Sequence, residues 1–351
     1  LTRATREIQL LAALAPLEAP AERLRLVQEF RAGRPAVPRW SYKPVAHDEL
    51  RGVLDVAQRE LSAAAGSDPL VALHVERIRE LSLEAELCAA AGSPKVAGLA
   101  RARFAPRAPG CAEAASRLAA EWLVGAVPVD HAPRVPSDAP DPRSLLMRMR
   151  EEVGRRRLPF AVVVQPSLAP LAATGDRVIL VAAGRPVSEA EVARTVVHEI
   201  EGHVLPRVRA SRASLPLLQV GTARGIDDQE GLALVLESRG GWLEARRRRT
   251  LAARHRAVEA MLSGASFADV TATLVGDHGF DAGEAVLVAE RAFRGGNGVS
   301  PGLGRERVYL ESFVRVRERL EQHPEDEAVL AAGQVALEAV EVLAPLVSRS
   351  L

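Results

Sequence analysis

Apolar residues recur at helical spacing through the first 130 or so residues, and the segments 21–32, 48–65, 69–91 and 112–127 are predicted as helices. The periodicity then stops in residues 125–143, a stretch with five prolines and three aspartates that reads as a connector. Helix resumes over 144–157. Two short β-branched runs, FAVVVQ at 160–165 and RVILVA at 177–182, break the helical period. They are predicted as strands joined by a loop that holds Pro166, Pro170 and Gly175. After Gly184 the pattern turns helical again, with Ser188 as N-cap and Glu191 as its capping-box partner, opening a helix that runs toward His203. Further helices are expected over 229–248, 266–275, 283–294, 306–320 and 326–346, interrupted by a Gly-rich loop at 295–304. The expected fold is therefore α+β and predominantly helical. A small sheet lies against the helix leading to His203, with an N-terminal helical region over 1–140 packed on a second region over 141–351.

Composition narrows the function classes. The chain has 351 residues, 48% hydrophobic and 26% charged, with a net charge of +1. That balance gives no push toward nucleic acid or an acidic membrane surface. No 18-residue apolar run appears, so no membrane span is expected. No secretory leader is evident, and a cytoplasmic location is the expectation. Cys88 and Cys111 allow a single pairing and lie in no CxxC pattern, so they are not read as metal ligands. Oligomeric state is open.

The chemistry concentrates in His198-Glu199-Ile200-Glu201-Gly202-His203, an HExxxH pattern. Neutral imidazoles are good zinc ligands, and hydrolytic zinc sites use three protein ligands and a water. In the commoner HExxH the two histidines are ~40° apart around a helix, whereas a spacing of five gives ~140° and aims the rings apart. The pattern thus demands a local bulge, which Gly202 is positioned to supply; single-turn π-bulges are often found at functional sites. A third ligand must come from elsewhere. His255, His278 and His323 sit in ordinary polar settings. Glu230, in Asp227-Asp228-Gln229-Glu230-Gly231-Leu232-Ala233, opens an apolar helix where a carboxylate is costly to bury without a partner. Glu237, two turns on, is either the alternative ligand or the group that orients a ligand histidine.

HEIEGH followed by QEGLA resembles the DUF1704 group of QEGLA-motif proteins, whose animal members are similar to the microtubule-associated tyrosine carboxypeptidases that remove the C-terminal tyrosine of α-tubulin. The resemblance implies a zincin-like metallopeptidase core with Zn2+ held by His198, His203 and Glu230, and Glu199 as general base. Trp40-Ser41-Tyr42-Lys43-Pro44, Arg291-Ala292-Phe293-Arg294-Gly295 and Val308-Tyr309-Leu310 look like further family segments, although Glu311-Ser312 stand where a glycine is expected. On this reading the partner is a peptide or protein C-terminus. Arg291 and Arg294 are the candidates for gripping its carboxylate, and Tyr309 is the candidate donor to the oxyanion.

Two other readings exist. Dipeptidyl peptidase III also uses HExxxH with a later glutamate, but its Glu-Glu segment farther downstream is absent here. A regulatory zinc protein would have no need of Glu199. The Arg246–Arg249 run reads as a solvated helix end near the negative pole of a helix dipole. The Gly-rich segment at 295–298 lacks the pattern and preceding strand of a phosphate loop. Trp40, Trp122 and Trp242 read as core anchors.

Overall fold

The computed structural model describes residues 1–34, 37–64, 66–125, 131–166 and 168–347. Its contacts divide the chain into two units, one of residues 1–125 and 248–314, the other of residues 126–247 and 315–351. The chain thus returns to the first unit after leaving it, which a single boundary near residue 140 does not capture.

Among its described residues the second unit carries five short strands: β1 Val135–Pro136, β2 Ala161–Gln165, β3 Ala172–Thr174, β4 Val178–Ala182 and β5 Pro186–Val187. β4 is central, parallel to β2 and antiparallel to β3, while β1 and β5 form a separate antiparallel pair. The two β-branched runs are therefore direct partners. The segment expected to be only a loop between them contains β3, whose Ala-Ala-Thr sequence has none of the bulky alternation that marks a strand. β3 is fixed by its hairpin instead: Gly175 N donates to Val178 O at 2.8 Å, and Arg177 closes the turn in the left-handed region at φ 56°. In the connector, Ser137 N donates to Arg185 O and Gly184 N donates to Asp138 Oδ1. The connector's residues 126–130 lie outside the described residues.

The helix Glu189–Glu199 begins with the expected capping box, Ser188 and Glu191 each bonding the other's backbone N–H. Val192 of this helix and, beyond its end, Ile200, Val204 and Val208 share a buried cluster with Ile179 and Val181 of β4 and with Leu145, Leu146 and Met149 of the helix Leu145–Arg155. Each such fully buried side chain contributes about 1.5–3 kcal/mol. The anchored face fixes where the end of that helix points.

Two helices predicted as continuous are broken. The run over 229–248 ends at Arg239, turns at Gly240 and Gly241, and a new helix starts at Ala245. The run over 326–346 is helical only at Asp326–Leu330, a 3-10 turn at Leu337–Ala339 and Val340–Val347. The non-helical stretch between is used as a buttress for the helix Gly225–Arg239. Ala336 N donates to Thr222 Oγ1 at 2.8 Å, Leu337 N to Asp228 Oδ2 at 2.8 Å, and Gln334 O accepts from Thr222 N at 2.9 Å. A Cβ on Gly225 would stand 2.0 Å from Gln334 O, so the close approach requires glycine there. A continuous helix would have consumed these backbone groups internally.

Among its described residues the first unit has helices joined by loops and no strand. One apolar cluster gathers Ile78, Leu81, Ala85 and Cys88 with Leu50 and Leu54; another gathers Leu14, Leu87, Val96, Phe104, Leu303 and Val308. Arg103 bridges Glu80 at 2.9 Å and Glu84 at 2.8 Å in its interior, pairing the buried charges. Trp40 packs edge-on against Phe267 and Trp122 lies tilted against Phe313, and both are half-buried rather than core residues. Cys88 and Cys111 are both buried and are not joined in a disulfide. Among the described residues no helix is long and apolar enough to cross a membrane.

Candidate metal centre

The helix Glu189–Glu199 passes directly into a π-helical turn at Ile200–Val204 before α-helix resumes at Leu205–Arg212. This is the bulge that the five-residue spacing requires. It brings the two imidazoles back to one side, with His198 Nε2 and His203 Nε2 3.3 Å apart. Gly202 lies in the middle of the turn, but for a different reason from the one its position suggests. Its φ is not left-handed; instead, a Cβ there would stand 2.5 Å from the Cβ of Ala233. Glycine lets the π-turn press against the helix Gly225–Arg239 at Ala233, two small residues in contact, and that contact brings Glu230 within reach. Gly202→Ala is expected to force the two segments apart, lowering stability by about 1–3 kcal/mol and weakening metal binding. Thermal melting and metal analysis of the purified variant check this; a variant with unchanged melting and metal content would contradict the packing argument.

Glu230 Oε2 is 3.4 Å from His198 Nε2 and 3.7 Å from His203 Nε2. Among the described residues these three form the group of histidine, cysteine and acidic side chains placed to hold a metal ion. His255, His278 and His323 are not part of it.

The other ring nitrogens are occupied. His198 Nδ1 donates to Glu237 Oε1 at 2.7 Å, and His203 Nδ1 donates to Gln229 Oε1 at 3.0 Å. Both acceptors lack a proton to give back, so each ring carries its proton on Nδ1 and turns a lone pair at Nε2 toward the other ring and toward Glu230. Three electron-rich atoms converging this closely attract positive charge, either a metal ion or a proton on His198. Burial disfavours the His198 imidazolium, but its hydrogen bonds to Glu230 and Glu237 outweigh this and lift its pKa to about 10. Glu237 is fully buried, which pushes its carboxyl up, but the Arg247 guanidinium and His198 more than offset burial and hold it at about 2. Arg247 grips it through two bonds, Nε to Oε2 at 2.9 Å and Nη2 to Oε1 at 2.8 Å. Of the two roles open to Glu237, the structure gives it that of orienting His198.

Arg247 corrects the reading of the Arg246–Arg249 run as a solvated helix end. The run lies in the first turns of the helix Ala245–Leu262, and the Arg247 side chain is only 14% exposed. Arg249 reaches the His278 carbonyl and covers the Phe280 ring. The run contains no apolar residue, so periodicity cannot mark which of its members turn inward. Thr174 of β3 was also not legible: its Oγ1 donates to Glu199 Oε2 at 2.7 Å. Gln229 was the easier one to find, since it stands beside Glu230 in the same motif.

The model of the microtubule-associated tyrosine carboxypeptidase family matches residues 28–351. The chain belongs to the microtubule-associated tyrosine carboxypeptidase family. No curated protein matches it.

The family segments that resemble the carboxylate and oxyanion motifs lie in the first unit. Arg291 is on the helix Ala282–Phe293 and is buried, its Nε 2.9 Å from Glu306 Oε2. Burial disfavours the Arg291 charge, but Glu306 outweighs this and raises its pKa; the same pair, against its own burial, holds Glu306 at about 2. Arg294 follows the helix as its C-terminal cap residue, with φ −48° and ψ 137°. It forms no side-chain hydrogen bond or ion pair with the described residues, and burial together with nearby Arg291 lowers its pKa. Tyr309, on the helix Val308–Gln322, is buried and its hydroxyl accepts from Arg305 Nη1 at 3.3 Å.

Proposed function

We propose that this protein is a zinc-dependent metallocarboxypeptidase that releases a C-terminal residue, of tyrosine type by family resemblance, from a peptide or protein. The observation that carries the reading is the spacing of the three converging atoms. Ligands 2.0–2.1 Å from a tetrahedral zinc stand roughly 3.3–3.4 Å apart, and the separations here are 3.3, 3.4 and 3.7 Å. Two neutral histidines and one carboxylate are also the donor set of hydrolytic zinc sites, which keep a fourth position open.

His198, His203 and Glu230 would hold the ion, and Glu237 and Gln229 would keep the two rings in the ligating tautomer. Zinc bound there would polarise the scissile carbonyl and lower the pKa of a water toward about 7. Glu199 takes the proton of the attacking water and delivers it to the leaving amine. Tyr309 accepts its hydrogen bond from Arg305, so its own hydroxyl proton remains available to donate.

Of the two arginines assigned to the substrate carboxylate, Arg294 is the better suited. The fork of Arg291 already faces Glu306, whereas Arg294 has its donors to offer. A charge-assisted guanidinium–carboxylate contact is strong and planar, which is what a free C-terminus presents. Arg294→Ala is expected to lower kcat/KM for peptides with a free C-terminus by about 10–100-fold, with metal content unchanged. Amidating the peptide should cost the parent enzyme about as much and the variant little more. Equal cleavage of free and amidated peptides by the parent enzyme would remove the carboxypeptidase assignment in favour of an endopeptidase or aminopeptidase.

A further inference from the structure

Glu199 sits at one border of the π-turn and Arg207 lies a few residues past the other, on the helix Leu205–Arg212. Both reach the same short hairpin. Thr174, the last residue of β3, donates through Oγ1 to Glu199 Oε2 at 2.7 Å. One residue on, Gly175 O accepts from Arg207 Nη1 at 3.0 Å. The hairpin is therefore tied to both flanks of the π-turn, on one side by the motif's own Glu199 and on the other by Arg207.

The tie is not incidental packing. A free carboxylate on a helix rotates about its χ angles, yet a general base must hold one oxygen within about 2.6–3.2 Å of the proton it takes. The Thr174 hydroxyl occupies Oε2 of Glu199 and so leaves Oε1 as the oxygen to take the proton. β3 is an edge strand of three residues, held by the sheet only through β4, and cannot position Thr174 that accurately alone. Arg207 supplies the missing restraint at the turn. Its guanidinium is partly buried, and burial lowers its pKa while the carboxylates of Asp176 and Glu199 favour its charge. A cation is retained in that setting by the groups around it.

We propose that Thr174 and Arg207 act together as positioning residues for the proposed general base, Thr174 by holding Glu199 Oε2 and Arg207 by fixing the hairpin turn that carries Thr174. The proposal rests on the metallocarboxypeptidase reading for its kinetic consequence, but not for its structural one.

The kinetic test uses the full chain loaded with zinc and a peptide with a free C-terminus. Thr174→Val, which keeps the shape and removes the hydroxyl, is expected to lower kcat about 10–100-fold, as a misplacement of about 1 Å can. KM and zinc content should stay unchanged, and Thr174→Ser should recover most of the rate. Arg207→Met is expected to act through the same route, so Thr174→Val/Arg207→Met should be about as slow as the slower single variant rather than the product of the two. Wild-type kcat in Thr174→Val, or multiplicative effects in the double variant, would overturn the shared role. The structural test needs no activity. In hydrogen exchange, Arg207→Met is expected to speed exchange of the amides of residues 172–178 about tenfold or more, while those of the helix Gly225–Arg239 keep their parent rates. Unchanged exchange in the hairpin would overturn the strap. If the parent enzyme fails to hydrolyse any peptide, the functional reading falls while the exchange result still decides the tie.

Discussion

Glu199→Gln is expected to keep its metal and lose about 10²–10⁴-fold in kcat, the range supplied by a positioned general acid–base. The amide is nearly isosteric with the carboxylate and can still accept from Thr174, so the fold around it should survive. What it cannot do is take a proton from water. Glu199 is buried beneath β3 and makes no contact that a metal ligand in this group requires, so the metal and the base should separate cleanly in experiment. The measurement is kcat on a free peptide together with metal content by elemental analysis. A Glu199→Gln protein with full activity would exclude the assigned mechanism; one that lost its metal would mean that Glu199 helps to bind it.

Removing a ligand should be at least as severe. His198→Ala, His203→Ala and Glu230→Ala are each expected to weaken zinc binding by more than about 100-fold, beyond the 10–100-fold typical of the groups that merely orient ligands. The three variants should differ in stability. His198→Ala leaves Glu237 fully buried against Arg247 with one acceptor direction unfilled, and Glu230→Ala removes the carboxylate from between two lone pairs. Breaking a buried, paired group costs several kcal/mol because its partner stays behind. Titration of zinc into each purified variant, followed by calorimetry or competition with a chelator, reads the affinity. Parent-like zinc affinity in Glu230→Ala would exclude it as the third ligand.

Much of the local structure could be read directly. The capping box at Ser188 and Glu191, the two β-branched strands and the π-turn all follow from short-range rules: which side chains satisfy a helix N-terminus, which resist helix, and what angle a five-residue spacing imposes. The predominantly helical α+β class follows from the same periodicities, and the paired motifs HEIEGH and QEGLA were enough to suggest the family that the chain belongs to. These features are local because their causes are contained within a few neighbouring residues.

Tertiary structure decided everything that depends on approach between distant segments. Gly202 is explained by Ala233, thirty-one positions away, and not by the bulge it sits in. The helical pattern over 326–346 is broken because the backbone at 334–337 bonds to Thr222 and Asp228, partners that no window of periodicity contains. Arg247 turns inward because Glu237 waits there behind His198, although its neighbours in the run give the same sequence signal. Thr174 lies in a stretch too small and too short to read as a strand, and only the hairpin places its hydroxyl on Glu199. Charged and small side chains are common on any surface, so their type alone carries no direction. Where each one points is set by the buried apolar faces that dock the segments, and that docking is a property of the folded chain.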